Sequence, residues 1–310
     1  MPEHKAEQSF EPAYVKLGRQ ELARRAEALA ALLSPCRLCP RACKARRSEG
    51  QLGTCRTDGR VRLASFGPHF GEEPPLVGRA GSGTIFFSNC NLLCIFCQNW
   101  EIAHRGEGRY TDDETLAEVM LSLQERGCHN INLVTPTHQA PQILRSLCLA
   151  AARGLRLPLV YNCGGYESLE VIRLLDGIVD IYMPDFKYQD GAQAARFSSG
   201  AEDYPERAAE AIAEMHRQVG VLQIDERGVA RRGVVLRHLV MPHNIAGTDR
   251  FARWVSEKLS PDTYVNIMAQ YHPCYKAFDH PEIARRLHAE EFEQALRWAR
   301  EAGLRRLARG

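Results

Sequence analysis

Seven of the chain's eleven cysteines fall into two tight groups, Cys36, Cys39, Cys43 and Cys55, then Cys90, Cys94 and Cys97. Thiolates are soft ligands suited to iron–sulfur clusters or zinc. The second group is the C-x3-C-x2-C run Cys90-Asn-Leu-Leu-Cys94-Ile-Phe-Cys97. A structural zinc site wants four protein ligands. Three cysteines in one short loop, with no neighbouring histidine or fourth cysteine in the pattern, can hold three irons of a 4Fe–4S cube and leave the fourth open. A zinc site completed by a distant residue, or plain buried cysteines, are the alternatives. The first group, C-x2-C-x3-C-x11-C, supplies four thiolates, enough to close a metal site. Its segment is Arg-rich and poor in core formers, so a metal would give stability that burial cannot. Zinc is the preferred occupant; an auxiliary 4Fe–4S cluster has the same ligand chemistry.

The odd cysteine count and the absence of an apolar signal core in MPEHKAEQSFEPAYVKLGRQ argue against a disulfide framework and against export. A cytoplasmic protein is expected. No apolar run approaches the ~20 residues of a membrane span. With 40 basic and 38 acidic residues, a net charge of +2 makes no case for nucleic acid as partner. Of the scattered cysteines, Cys128 and Cys148 read as helix-borne core residues, while Cys163 and Cys274 fall nearer the reactive loop.

The elements that must position these groups follow from apolar patterning. Strands are expected at 83–88, 130–135, 157–162, 179–184, 234–241 and 263–268, each a short apolar run. Helices are expected in RQELARRAEALAALLS, in TDDETLAEVMLSLQERG with a capping box of Thr111 and Glu114, in PQILRSLCLAAARG, in YPERAAEAIAEMHRQVG and in EEFEQALRWAREAGL. Six strands alternating with helices indicate a parallel α/β sheet covered on both faces. Functional groups gather at the carboxyl ends of such strands. Those ends read SNCNLLCIFC, TPTH, NCGGY, PDFK, MPHN and AQYHPC. Residues 36–82 are expected to be loop-dominated, which gives a 1–80 segment with the N-terminal helix and four cysteines, an α/β unit at 81–285, and a C-terminal helix at 286–310 packing on it.

The cysteine loop, with the aromatic Phe96 before its last cysteine, resembles the signature of the radical S-adenosylmethionine (SAM) superfamily. GSGTIFFSNCNLLCIFCQN (81–99), LVTPTH (133–138), YMPDFKY (182–188), RHLVMPHN (237–244) and NIMAQYHP (266–273) are similar to uncharacterised relatives of pyruvate formate-lyase-activating enzyme. The resemblance implies a partial (β/α)6 TIM-like barrel with the cysteine-rich segment as an N-terminal extension. It implies that SAM chelates the open iron, that an electron from a donor such as flavodoxin or ferredoxin cleaves its S–C bond, and that a 5′-deoxyadenosyl radical then abstracts hydrogen. The substrate implied is a glycyl radical enzyme; the alternative is a small molecule or unrelated peptide.

Phe96 would pack near the adenine. Thr135, Thr137 and His138 occupy the place of the Gly-Gly-Glu-like stretch that binds the SAM amino group, though with different residues; Thr137 as a helix N-cap is the competing role. Asn162, Gly164 and Gly165 would let backbone approach the SAM methionine or ribose. Asp185 and Lys187 resemble the Asp-x-Lys of the activating enzymes and are candidates for catalysis. Arg237 and His238 alternate on one strand, and Arg237 is the one expected to face inward and bind a carboxylate. His243 and His272 lie past strand ends.

Overall fold

The computed structural model describes residues 10–308; residues 1–9, on which the reading of no export signal partly rests, lie outside that range. Its centre is a twisted sheet built around seven parallel strands: β2 (Ser82–Phe87), β4 (Ile131–Val134), β5 (Leu159–Cys163), β6 (Ile181–Pro184), β8 (Ala230–Leu239), β9 (Tyr264–Met268) and β10 (Arg306–Leu307). They adjoin in that order, and the sheet does not close. Antiparallel β1 (Val61–His69) borders β2, and β3 (Arg109–Thr111) borders β1. A two-residue strand, β7 (Gln223–Ile224), pairs with β8. The six strands expected from the sequence are β2, β4, β5, β6, β8 and β9, so the open (β/α)6 arrangement is the one observed.

Helices cover the outer face. α1 (Ala13–Leu17) and α2 (Arg19–Ala30) precede the cysteine-rich segment, and α3 (Pro74–Val77) leads into β2. Then come α4 (Asp113–Glu125), α5 (Ala140–Ala152), α6 (Leu169–Leu174), α7 (Gly191–Phe197), α8 (Tyr204–Val219), α9 (Thr248–Trp254) and α10 (Ala289–Glu301). Strand alternation sends Ile85, Phe87, Ile131, Leu133, Tyr161, Tyr182, Val234 and Leu236 outward into the main core. Val160, Ile181, Met183 and Val235 face inward, where they enclose Leu76 of α3 in a second apolar cluster with Leu222 and Ala230.

Residues 36–82 are mostly loop, with β1 supplying nine of them and pairing with β2 across the expected boundary at residue 80. Gly67 and Pro68 disguise it, but β3 covers only Val61–Leu63, so at Pro68 the strand needs no donor on its free side. Two cap expectations are corrected. Thr111 ends β3 rather than capping α4. Asp112 is the cap, its Oδ1 accepting from Thr115 N at 2.8 Å. Thr137 likewise caps nothing, because a 3₁₀ turn, Thr137–Gln139, precedes α5.

Candidate functional site

β2 ends at Phe87 and runs directly into the cysteine loop. Asn89 and Leu93, beside Cys90 and Cys94, take left-handed backbone at φ 70° and 53°, unusual for residues with a Cβ. The loop is pinned on several sides. Asn91 Nδ2 donates to Tyr166 O (2.8 Å), Ile95 N to Phe197 O (2.9 Å), and Lys276 N to Ile95 O (3.0 Å). His104 Nε2–H donates to Cys94 O at 2.9 Å. Trp100 stacks on Tyr275 at 5.3 Å.

Donors point at the sulfurs themselves. Leu92 N lies 3.4 Å from Cys90 Sγ, and Ser198 Oγ donates to Cys94 Sγ at 3.1 Å. Burial pushes the Cys90 thiol up to about 11 and Cys97 to about 12, each aided by the charge of neighbouring cysteines; burial also raises Cys94. Without metal the three would stay protonated, and metal binding must release those protons. Three soft donors in one loop, Cys94 buried and Cys90 and Cys97 half-buried, fit three irons of a cube. Among the described residues no three His, Cys, Asp or Glu side chains are drawn to the spacing of one bound ion, these three included.

The ends of β5 and β6 close on the loop. Lys187 Nζ pairs with Asp185. Burial opposes its charge, but Asp185 and the Cys94 thiol outweigh that and hold the ammonium well above an ordinary lysine. The same charge acts to lower Cys90, Cys94 and Cys97 against burial. Gly164 stands where a Cβ would meet Leu92 Cδ1 at 2.7 Å, and a Cβ at Gly165 (φ 79°) would overlap the Asp185 carbonyl. Tyr204 OH bridges these strand ends: it accepts from Lys187 N (2.8 Å) and lies 2.9 Å from Gly164 O and 3.0 Å from Asp185 O. Asn162 is buried on the inner side of β5, its carbonyl accepting from Thr135 N. Thr135 has φ 59°. Phe96 is buried between the rings of Tyr188 and Tyr271.

Other expected residues are drawn elsewhere. Thr137 Oγ1 donates to Glu167 Oε1 (2.6 Å), and Tyr161 OH to Glu167 Oε2 (3.1 Å). Burial lifts the Glu167 carboxyl to about 7 against these bonds. His138 is buried, with Nε2–H directed to Ser88 O at 2.8 Å and Nδ1 without a partner. Arg237 does point inward, but the carboxylates it meets are the chain's own. It pairs with Glu72 and Glu73 from the turn before α3, where Asn266 Nδ2 also reaches Glu73 (2.7 Å) and Asn132 Nδ2 reaches Glu72 (3.1 Å). His238 faces outward, stacked on Phe251 at 4.1 Å and bonded to Phe186 O and Thr248. His243 meets Arg285 at the surface, and His272 contacts Gln98 beside Cys97.

Glu167, Glu72, Glu73, Ser198 and Tyr204 escaped notice in the sequence. For the two glutamates of FGEEPPL there was a signal: paired acids before Pro-Pro at the mouth of an inward-facing arginine strand. Of the N-terminal cysteines, the sulfurs of Cys43 and Cys55 both crowd Gly53, and Cys36 Sγ lies 3.8 Å from Arg47 Nη1.

Residues 84–255 match the radical SAM superfamily profile. The chain is 31% identical over 280 residues to an uncharacterised protein of Methanocaldococcus jannaschii, covering 87% of this chain and 75% of that one. A radical SAM methyltransferase from Sphaerobacter thermophilus superposes with a TM-score of 0.48 at 17% identity, over 73% of this chain and 67% of that one. TYW1 with a lysine-pyruvate adduct bound gives 0.42 at 11% identity, over 70% and 73%.

Proposed function

Because the chain belongs to the radical SAM superfamily, we propose that it turns that family's chemistry on a hydrogen atom of a partner protein, in the manner of glycyl-radical-activating enzymes. Its cofactors are a 4Fe–4S cluster and SAM. Bound and reduced by one electron, the pair supplies homolytic S–C cleavage to methionine and a 5′-deoxyadenosyl radical. Cys90, Cys94 and Cys97 would hold three irons. Lys187, fixed by Asp185 and Tyr204, would hold positive charge beside the thiolates, and Gly164 would let a ligand's carboxylate end approach the backbone.

The observation that carries the choice of substrate is the filled interior of the sheet. Leu76 and the inner apolar cluster occupy its base, and the Glu72–Glu73–Arg237–Asn266 network lies above them. A hydrogen donor therefore meets the site at the open mouth, which suits a protruding peptide segment. The second reading, a small-molecule or unrelated-peptide substrate, is favoured by the departure of the Thr135–His138 stretch from the Gly-Gly-Glu-like pattern, with Thr137 engaged by Glu167.

The test is anaerobic reconstitution with iron and sulfide, reduction by dithionite, and quantitation of 5′-deoxyadenosine. Wild type forms it from SAM and Cys94→Ala does not. Stimulation by a glycyl radical enzyme, with a glycyl signal in electron paramagnetic resonance (EPR), supports the activase reading. Stimulation by a metabolite and by no protein selects the other.

A further inference from the structure

Arg47 is among the most deeply buried side chains in the molecule, 1% exposed. Its Nε and Nη2 donate to Asp58 O (3.2 and 2.9 Å), Nη2 also to His138 O (2.7 Å), and Nη1 faces Cys36 Sγ at 3.8 Å. Among the described residues it makes no ion pair. The buried Asp58 carboxylate feels the Arg47 charge but is bonded to Arg60, 2.6 Å away, so one carboxylate is shared between two cations. A guanidinium cannot shed its proton, and a buried charge without a counter-charge is strongly destabilising. The carbonyls satisfy its donors but do not neutralise it.

The groups packed around it offer that charge in one form. Ala42, Lys44 and Arg56, next to Cys43 and Cys55, are left-handed at φ 38°, 57° and 60°, as Asn89 and Leu93 are in the radical loop. A Cβ at Gly53 would stand 3.2 Å from Cys43 Sγ, 3.6 Å from Cys55 Sγ and 3.6 Å from Arg47 Cδ, so the fourth cysteine closes over the same arginine. Four thiolates around Zn2+, or around a 4Fe–4S core of charge 2+, keep two negative charges. Four neutral thiols keep none.

This segment also grips the radical loop. Arg41, between Cys39 and Cys43, donates to Asn91 O (2.9 Å), Leu92 O (3.5 Å), Ser198 O (2.9 Å) and Ser199 O (2.6 Å). Two of those carbonyls directly follow Cys90, and a third belongs to the serine that donates to Cys94.

We infer that Cys36, Cys39, Cys43 and Cys55 hold a thiophilic metal centre, one zinc ion or one 4Fe–4S cluster. Arg47 balances its charge, and its Cys39–Cys43 loop fixes the radical loop through Arg41, a positioning residue. The metal site is tested apart from the SAM chemistry, without the radical cluster, while the coupling through Arg41 rests on the proposed function.

Full-length C90A/C94A/C97A, purified anaerobically and loaded separately with zinc or with iron and sulfide, is expected to retain one zinc or four irons per chain. X-ray absorption should return four sulfur neighbours at about 2.3 Å. Zinc and iron are the two arms that identify the occupant. A folded variant that retains neither, or holds metal through nitrogen or oxygen, overturns the inference. Arg47→Met should release the metal to a chelator at least tenfold faster while Arg47→Lys holds it; equal release from both refutes the charge argument. In the protein with all seven cysteines, Arg41→Ala should keep both metal counts yet alter the SAM-induced change in the EPR spectrum of the reduced cluster. An unaltered spectrum refutes the coupling.

Discussion

Replacing Arg237 by methionine tests whether the polar layer inside the sheet depends on one cation. The side chains of Glu73 and Glu72 are 1% and 7% exposed, and that of Arg237 15%. Deleting one partner of so buried a set strands the others, at a cost of about 3–5 kcal/mol. Unfolding entropy of about 2.1 cal/mol/K per residue puts the expected fall in melting temperature at roughly 5–8 °C for a chain of this length. The pH dependence gives a sharper check. Burial pushes the Glu73 carboxyl up, but the hydrogen bonds and charge of Arg237, with Asn266, more than offset it and hold it below the usual range. In wild type this contributes stability above the unfolded carboxyl value, about 4.3, and loses it as pH falls through the lower folded value. In Arg237→Met burial is opposed only by the remaining Asn266 bond and the backbone, so the folded value rises above the unfolded one and acidification relieves the penalty. The gap between wild type and variant should therefore narrow from pH 8 to pH 5.5 in matched thermal scans. Adding Glu73→Gln to the variant should recover part of the loss. Equal melting at pH 8, a gap that does not narrow, or a double variant no better than Arg237→Met would refute the assignment.

Ser198→Ala removes the hydroxyl 3.1 Å from Cys94 Sγ, and hydrogen bonds to cluster sulfurs help set the potential. A redox titration should find the midpoint lower with the iron count unchanged; no shift, or an upward one, counts against the contact. His238 is held neutral by burial, its value down at about 4 against about 6.5 unfolded. It contributes stability above pH 6.5 that is lost as pH falls toward 4, on the order of 3 kcal/mol in full, so urea midpoints of His238→Gln should fall less steeply from pH 6.5 to 5 than those of wild type. Gly165→Ala puts a Cβ on a left-handed residue and must displace the Asp185 carbonyl, whereas Gly164→Ala meets chiefly the flexible end of Leu92. The first should destabilise by more than about 1 kcal/mol and the second by clearly less, and a reversed order would show that the strand ends are not packed this way.

How much of this was legible follows from what kind of information spacing carries. Parallel strands buried on both faces read as short apolar runs, which is why β2, β4, β5, β6, β8 and β9 stand out unaided. The two cysteine groups stood out as candidate ligand sets because each lies within one short stretch of chain. β1 was not, because its burial is uneven and its one long pairing, with β2, leaves the Pro68 end at an edge.

Alternation along a strand tells which face a side chain takes, so Arg237 inward and His238 outward could be derived. It says nothing of what waits there. The carboxylates that meet Arg237 lie 164 and 165 residues earlier in the chain, and only the fold brings them opposite. The arginines of the cysteine-rich segment make the same point more severely. Arg37, Arg41, Arg46, Arg47 and Arg56 are equivalent in sequence, yet Arg37 and Arg46 form exposed ion pairs, Arg41 grips the radical loop and Arg47 is sealed in. A buried cation has to be balanced by something, and the thiols that can balance it flank it in the chain. The four-cysteine spacing and the burial of Arg47 are thus two independent constraints on one site, the first readable from the sequence and the second only from the fold.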